Sequence, residues 1–290
     1  MGHPELILQL LGTPMLFSGR QPVSLAPRTA LLCAYLALSP PGGRPRSTVA
    51  AQFFADCPGD TARRRLNTAL WRLQAEVRSR TGVELVGRTG GQCVAFRPDA
   101  GIRVDAVDFE NLLAPVLSGA AAPLADEAVA RLVRAIELRR GPLVEACDED
   151  WVLAARSRIE GLYLGALDCL IQHHGTRRDL AAVAHYADLA LSIEPLREDI
   201  HRHVMVAYAE AGRIDMVERQ FEQCRLATLT ELGADPMPET LQLYGTLTGG
   251  GPEAGYSVPG LVAELERAHR DIARLGATID RLLDRLHGLD

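Results

Sequence analysis

The chain has 290 residues, enough for two cores, and its 47% hydrophobic content with a net charge of −6 excludes wholesale disorder. No apolar run approaches the roughly 18–20 residues of a membrane span, and Met1-Gly2-His3-Pro4-Glu5 lacks a basic segment leading into an apolar one, so neither a spanning helix nor a secretory leader is expected and the expected location is the cytoplasm. All 31 cationic side chains are Arg, which excludes a Walker-type phosphate loop and Schiff-base chemistry, both dependent on Lys, and leaves guanidinium contacts to phosphate or guanine intact.

The charge is unevenly placed. Residues 1–98 carry 12 Arg against 5 acids, a balance of +7, so the remainder carries −13. A basic segment joined to an acidic one points to nucleic-acid contact by the first. In chain order, Leu6 to Leu11, Met15 to Phe17 and Val23 to Leu25 read as short strands, with Ser18-Gly19-Arg20 as a turn. Residues 28–38 read as a buried helix stopped by Pro40-Pro41-Gly42-Gly43. Ser47 is expected to cap a second helix over 48–54. Asp60 or Thr61 is expected to cap a third, running to about Ser79 and closed by Gly82. Two strands, 83–86 and 93–96, then flank the turn Arg88-Thr89-Gly90-Gly91 as a hairpin.

The third helix is the informative one. Leu66, Leu70, Leu73 and Val77 recur at i, i+4, i+7 and i+11 and form one buried stripe. The opposite face holds Arg64, Asn67, Thr68, Trp71, Ala75 and Arg78, flanked by Arg65 and Arg72. Arg reads guanine edges, Asn reads adenine, and Trp or Thr can touch a thymine methyl. The flanking arginines suit phosphates, which set register. Arg88, at the hairpin tip, is placed for the minor groove or its backbone.

The order of short strands, RTALLCAYLALSPPGGRPRSTVAAQFFAD, TARRRLNTALWRLQAEV and a hairpin resembles the winged-helix domain of the SARP-type activators, the Streptomyces antibiotic regulatory proteins. That domain is similar to the effector domain of two-component response regulators. Arg28 meets the family's cationic position before ALLxxLAL; Ala62-Arg63 and the run Leu66 to Leu73 meet its recognition-helix pattern. Phe53-Phe54 stands where the family has Leu-Trp, and Gly91-Gln92-Cys93 where its wing has Pro-Gly-Tyr.

From about residue 99 the pattern is helical. Helices are expected over 107–117, 125–139, 150–173, 180–193, 198–211, 214–232 and 238–246, with breaks at Gly141-Pro142, Gly175, Pro195, Gly212 and Gly233. The stretches around Gly175 and Gly212 echo each other, and their 37-residue offset is near the roughly 34-residue period of tetratricopeptide repeats. Stacked hairpins of this kind leave a concave surface for partners. Arg140-Gly141-Pro142-Leu143, Trp151, Glu194-Pro195-Leu196-Arg197-Glu198, the run Ala207 to Arg213 and the run Glu231 to Pro236 resemble the bacterial transcriptional activator domain that follows the winged helix in the SARP family. The resemblance implies a protein that binds repeated promoter elements and recruits RNA polymerase.

Gly249-Gly250-Gly251-Pro252 opens a linker. Beyond it, Leu261, Leu265, Ala268, Ile272, Leu275, Ile279, Leu282, Leu286 and Leu289 are spaced alternately by 4 and 3, the seam of a coiled coil. Such a seam pairs two copies of the chain, or docks back on the chain's own domain; Gly276 weakens the helix by about 1 kcal/mol relative to Ala.

The expected architecture is therefore mainly α. It has a winged-helix DNA-binding domain (1–98) of the response-regulator effector type, α+β in class. A tetratricopeptide-like domain (99–248), a linker (249–259) and a coiled-coil helix (260–290) follow. The expected partners are double-stranded promoter DNA, RNA polymerase and a second copy of the chain, with no membrane. No cofactor is expected. The six cysteines lack paired ligand spacing, and adjacent His173-His174 point about 100° apart on a helix, so no metal is expected. No nucleophile–base pair supports an enzyme. The substituted wing leaves a second reading open, a protein-interaction adaptor whose winged helix does not read DNA.

Overall fold

The computed structural model describes residues 5–40, 42–89, 92–97, 100–119, 124–145 and 147–249, apart from the side chains of residues 88 and 89. The chain divides into two compact units, one up to Leu170 and one from Ile171. The linker beyond Gly249 and the heptad seam, including Leu261, Leu265, Ile272, Leu275, Ile279, Leu282 and Leu286, lie outside the described residues, as does the turn at Gly90-Gly91.

The first unit opens with β1 (Leu6–Gln9), β2 (Met15–Ser18) and β3 (Gln21–Val23), which pair antiparallel in that order. Leu6, Leu8 and Leu16 turn to the core, as the two-residue period of a half-buried strand requires. Three helices follow: α1 (Pro27–Ala37), α2 (Arg46–Phe53) and α3 (Gly59–Thr81). Between the first two lies β4 (Arg44–Pro45), which pairs with β6 (Cys93–Phe96). β6 also pairs antiparallel with β5 (Val86–Thr89), making the hairpin. Gly43 is needed where β4 approaches β6: its φ is +76°, and a Cβ there would meet the Val94 carbonyl oxygen at 2.5 Å.

Several local expectations are corrected. Ser47 and Thr61 sit inside the first turns of α2 and α3, whose caps are Pro45 and Pro58 with no side-chain hydrogen bond. Proline fixes the extended φ that a helix entry needs without supplying a side-chain acceptor. The first hairpin strand begins at Val86, not Val83, because Thr81 and Gln74 hold the backbone of Val83 and Val86 beside α3. β4 and a further strand, β7 (Ile102–Val104), were not expected; β7 adds parallel to β1 and completes the order β3-β2-β1-β7.

β7 runs straight into α4 (Asp105–Leu117), which packs on β1 and β7 and on α5 (Asp126–Leu138). Asp105 is buried, and its carboxylate accepts the amides of Leu10 at 2.7 Å, Leu11 at 3.1 Å and Ala106 at 2.7 Å. The Arg140–Leu143 segment then lies against the chain after β1. Gly12 N–H donates to the Pro142 carbonyl, Val144 N–H to that of Leu10, and Leu11 bridges Leu143. From α6 (Asp150–Thr176), Arg156 donates to the carbonyls of Leu143, Val144 and Cys147. Trp151, also on α6, donates its indole N–H to Glu149 at 2.8 Å and meets the Tyr35 ring edge-on at 5.0 Å. Residues 100–170 thus share one compact unit with the winged helix.

The second unit contains α7 (Leu180–Leu191), α8 (Glu198–Glu210), α9 (Ile214–Leu232) and α10 (Pro238–Thr248). Gly175 does not break α6, which continues to Thr176; the left-handed residue is Arg178, at φ +58°. Its counterpart between α8 and α9 is Gly212, at φ +72°, 34 positions later. The hydrogen bonding repeats with it. Arg178 N–H bonds Gly175 and Asp179 N–H bonds His174; Gly212 N–H bonds Ala209 and Arg213 N–H bonds Tyr208. Buried pairs keep the same offset: Ile171 with Met205, Val183 with Val217, Ala190 with Cys224. The period is that of a tetratricopeptide repeat.

The Glu194–Glu198 motif is a clasp. Glu198 is 8% exposed; its carboxylate accepts Met237 N–H at 2.9 Å and the Thr240 hydroxyl at 2.6 Å, so it holds the start of α10. Arg202 donates to the same hydroxyl at 2.8 Å. Arg197 forks onto Asp199 at 2.8 and 2.6 Å and reaches Glu194 at 3.6 Å. That guanidinium holds the Asp199 carboxyl below its ordinary range. The buried His201 lies between the Pro195 carbonyl, at 3.2 Å, and the Gln220 amide, at 2.7 Å.

Candidate nucleic-acid interface

α3 turns one stripe inward and the rest outward. Leu66, Leu73 and Val77 are fully buried and Leu70 nearly so, against α1 and α2. The 3.6-residue turn then forces the intervening side chains to solvent. Arg64, Arg65, Asn67, Thr68, Trp71, Arg72 and Arg78 are all exposed, and Trp71 is 70% exposed. Uncovered Trp is uncommon on a surface with no partner, because about 200 Å² of ring favours burial. Arg88 lies in β5, and its side chain is outside the description.

The outward residues fall on two flanks. On the hairpin side, Gln74 ties α3 to the hairpin: its amide donates to the Val83 carbonyl at 3.3 Å and accepts Val86 N–H at 3.0 Å. Arg78 and Arg97 both reach Glu84, at 3.3 and 3.0 Å. Asn67 has a partner that the sequence reading missed. Arg46, the first residue of α2, donates to its Oδ1 and also bonds the Gln92 carbonyl through its backbone N–H. With Oδ1 turned to Arg46, the Asn67 Nδ2 group is left to donate, and the oxygen keeps a second lone pair. The signal available for Arg46 was its place in the Arg-rich entry to α2; its bond to Gln92, 46 residues further on, leaves no local pattern.

On the other flank, Arg64, Arg65 and Arg72 join Arg28 of α1 around a cleft of about 610 Å³, with Leu32, Phe53 and Phe54 among its walls. Among the described residues, Arg28, Arg65 and Arg72 make no ion pair, and the Arg64 guanidinium bonds only the Asp60 carbonyl, at 3.4 Å. Unpaired guanidiniums from two helices repel one another, and an anion would relieve that repulsion. Phe53 packs edge-on to Tyr35 at 5.4 Å, and Arg44 lies over the same Tyr35 ring at 4.5 Å, so the cleft rests on the aromatic cluster that includes Trp151.

Other candidate chemistry is accounted for by packing. His173 pairs with Arg177, and His174 lies 3.2 Å from Asp179. All six cysteines are free; burial pushes the Cys33 and Cys224 thiols up to about 12, which suppresses the reactive thiolate. Among the described residues no group of His, Cys, Asp and Glu forms a metal site, and no helix is long and apolar enough to cross a membrane.

An N-terminal sheet, three helices of which α3 turns an Arg-rich face outward, and a hairpin, followed by helical hairpins, define a transcription regulator of the winged-helix type. Residues 104–248 match the bacterial transcriptional activator domain, half of the chain, and the chain belongs to that family. It is a transcriptional activator of the SARP type. Among solved structures it is similar to Mycobacterium tuberculosis EmbR in complex with a low-affinity phosphopeptide. The identity is 17% and the TM-score 0.65, over 92% of this chain and 71% of that one, a likeness of fold. No curated protein matches the chain.

Proposed function

We propose that the protein binds repeated promoter elements in double-stranded DNA by laying α3 in the major groove, and recruits RNA polymerase from there. One observation carries the reading: α3 presents Trp71, Asn67 and guanidiniums without carboxylate partners on one solvent-facing surface. Asn67, Thr68 and Trp71 are assigned to base edges, with Arg46 holding the Asn67 amide. Arg64, Arg65 and Arg72 are assigned to phosphates, with Arg78 and Arg88 on the hairpin side. Two copies side by side on repeated elements would form the homodimer, in the cytoplasm at the nucleoid. The reading assigns the protein no catalysis.

A gel-shift and footprinting titration across salt tests it. Sequence-specific binding should weaken with salt. Arg72→Ala should lower affinity for every sequence alike and shallow the salt slope by roughly 0.9. Asn67→Ala should relax preference at a single base pair. If both variants bind operator DNA as tightly as the native protein, α3 is not the reading helix. No specific shift at any salt would favour the adaptor.

A further inference from the structure

The second unit holds a groove that the reading above does not use. It has a volume of about 780 Å³ and is bounded by the end of α6, by α7, α8 and α10. Leu180, Val183, Val206, Ala207 and Leu243 make it largely apolar. Val206 is 37% exposed although it sits mid-helix in α8. The rim is mixed in sign: Arg178, Arg202 and His203 stand against Asp199 and Glu210, and Arg178 already reaches Glu210 at 3.7 Å. A rim of both signs offers little to a phosphate backbone, whose binding depends on accumulated positive charge. The apolar lining calls for an apolar face.

The chain carries one within reach. α10 supplies Leu243 to the groove and ends at Thr248; the heptad pattern starts at Leu261. The twelve residues between span up to about 40 Å when extended, and such a tether raises the local concentration of what it carries to about the millimolar range. The first part of the pattern, Leu261, Leu265, Ala268, Ile272 and Leu275, is complete before Gly276. A two-chain coil needs the seam on both sides of that glycine, whereas a groove needs only the first part. The polar positions there are also mixed, with Glu264, Glu266 and Asp271 beside Arg267, Arg270 and Arg274.

We infer that residues 261–275 of this chain occupy the groove as an added helix, their seam set against Val206, Ala207 and Leu243. The heptad then serves its own domain rather than a second copy. This assignment is independent of DNA binding.

Hydrogen exchange on the full-length protein, with its mass followed by light scattering over a wide concentration range, tests the inference. The expected result is a monomer whose 261–275 amides are protected by at least about tenfold. Val206→Glu, at a half-exposed position the fold tolerates, should remove that protection without changing the mass. Protection that appears only as a dimer forms would assign the seam to a second copy and overturn the inference. So would an unprotected tail, or protection that survives in a folded Val206→Glu protein. Should Val206→Glu unfold, the double variant Leu265→Asp/Ile272→Asp decides, since it lies outside the groove walls. Faster exchange across 202–211 supports docking there, and unchanged exchange overturns it.

Discussion

On α3 the arginines face solvent, and none of the four guanidiniums around its cleft has a carboxylate partner; on α8 the charged side chains are tied to their neighbours and to the next helices. Both helices bury an apolar stripe, so burial alone does not separate them. The difference lies in what the polar face meets. Glu198 and Arg197 close a turn and start α10, which makes their charges part of the fold. Arg28, Arg65 and Arg72 do nothing comparable for the winged helix, and their repulsion is a standing cost that an anionic partner would offset. Charge that the fold does not use marks the surface on which to look for function.

This contrast can be broken by experiment. The largest effect is expected at the clasp. Glu198→Ala strands Met237 N–H and the Thr240 hydroxyl and should cost about 3 kcal/mol in urea unfolding. A loss within the error of the measurement would remove the distinction between the two helices. Next, Asn67→Ala should cost about 1–3 kcal/mol of discrimination at one base pair, read from affinities for single-base operator variants, while leaving stability nearly unchanged.

A smaller effect should come from pH. Burial holds the His201 imidazole below its ordinary value of 6.5, so the folded chain resists a proton that the unfolded chain accepts. Stability from this residue is full above 6.5 and falls as pH drops through 6.5 toward the lower folded value. Denaturation midpoints should therefore decline in that window, and His201→Gln should flatten the decline. The smallest effect on stability is expected at Trp71. At 70% exposed, Trp71→Ala should shift unfolding by no more than about 0.5 kcal/mol, yet weaken DNA binding. A large loss of stability would show that the ring supports the fold.

The α3 stripe was legible because Leu66, Leu70, Leu73 and Val77 repeat at the helical period, and exposure of Asn67 and Trp71 follows from that period alone. Less of the site came through. The tie between Arg46 and Asn67 joins residues 21 apart, and Arg28 reaches the cleft from another helix; neither leaves a local pattern. β4 and β7 are two and three residues long and become strands only through β6 and β1. The repeat was visible, but its offset was set by Gly175 and Gly212, whereas the left-handed position is held by Arg178.

By itself the sequence determined the basic and acidic halves, the helices and their inward faces, and the family, because periodicity, composition and local motifs act over one turn or one strand. Only the tertiary structure decided which cations stay unpaired, that Asp105, Trp151 and the backbone of residues 140–144 bind residues 100–170 to the winged helix, and that Glu198 starts α10. Those outcomes depend on groups far apart in the chain, whose partners exist only once burial has brought them within hydrogen-bonding distance.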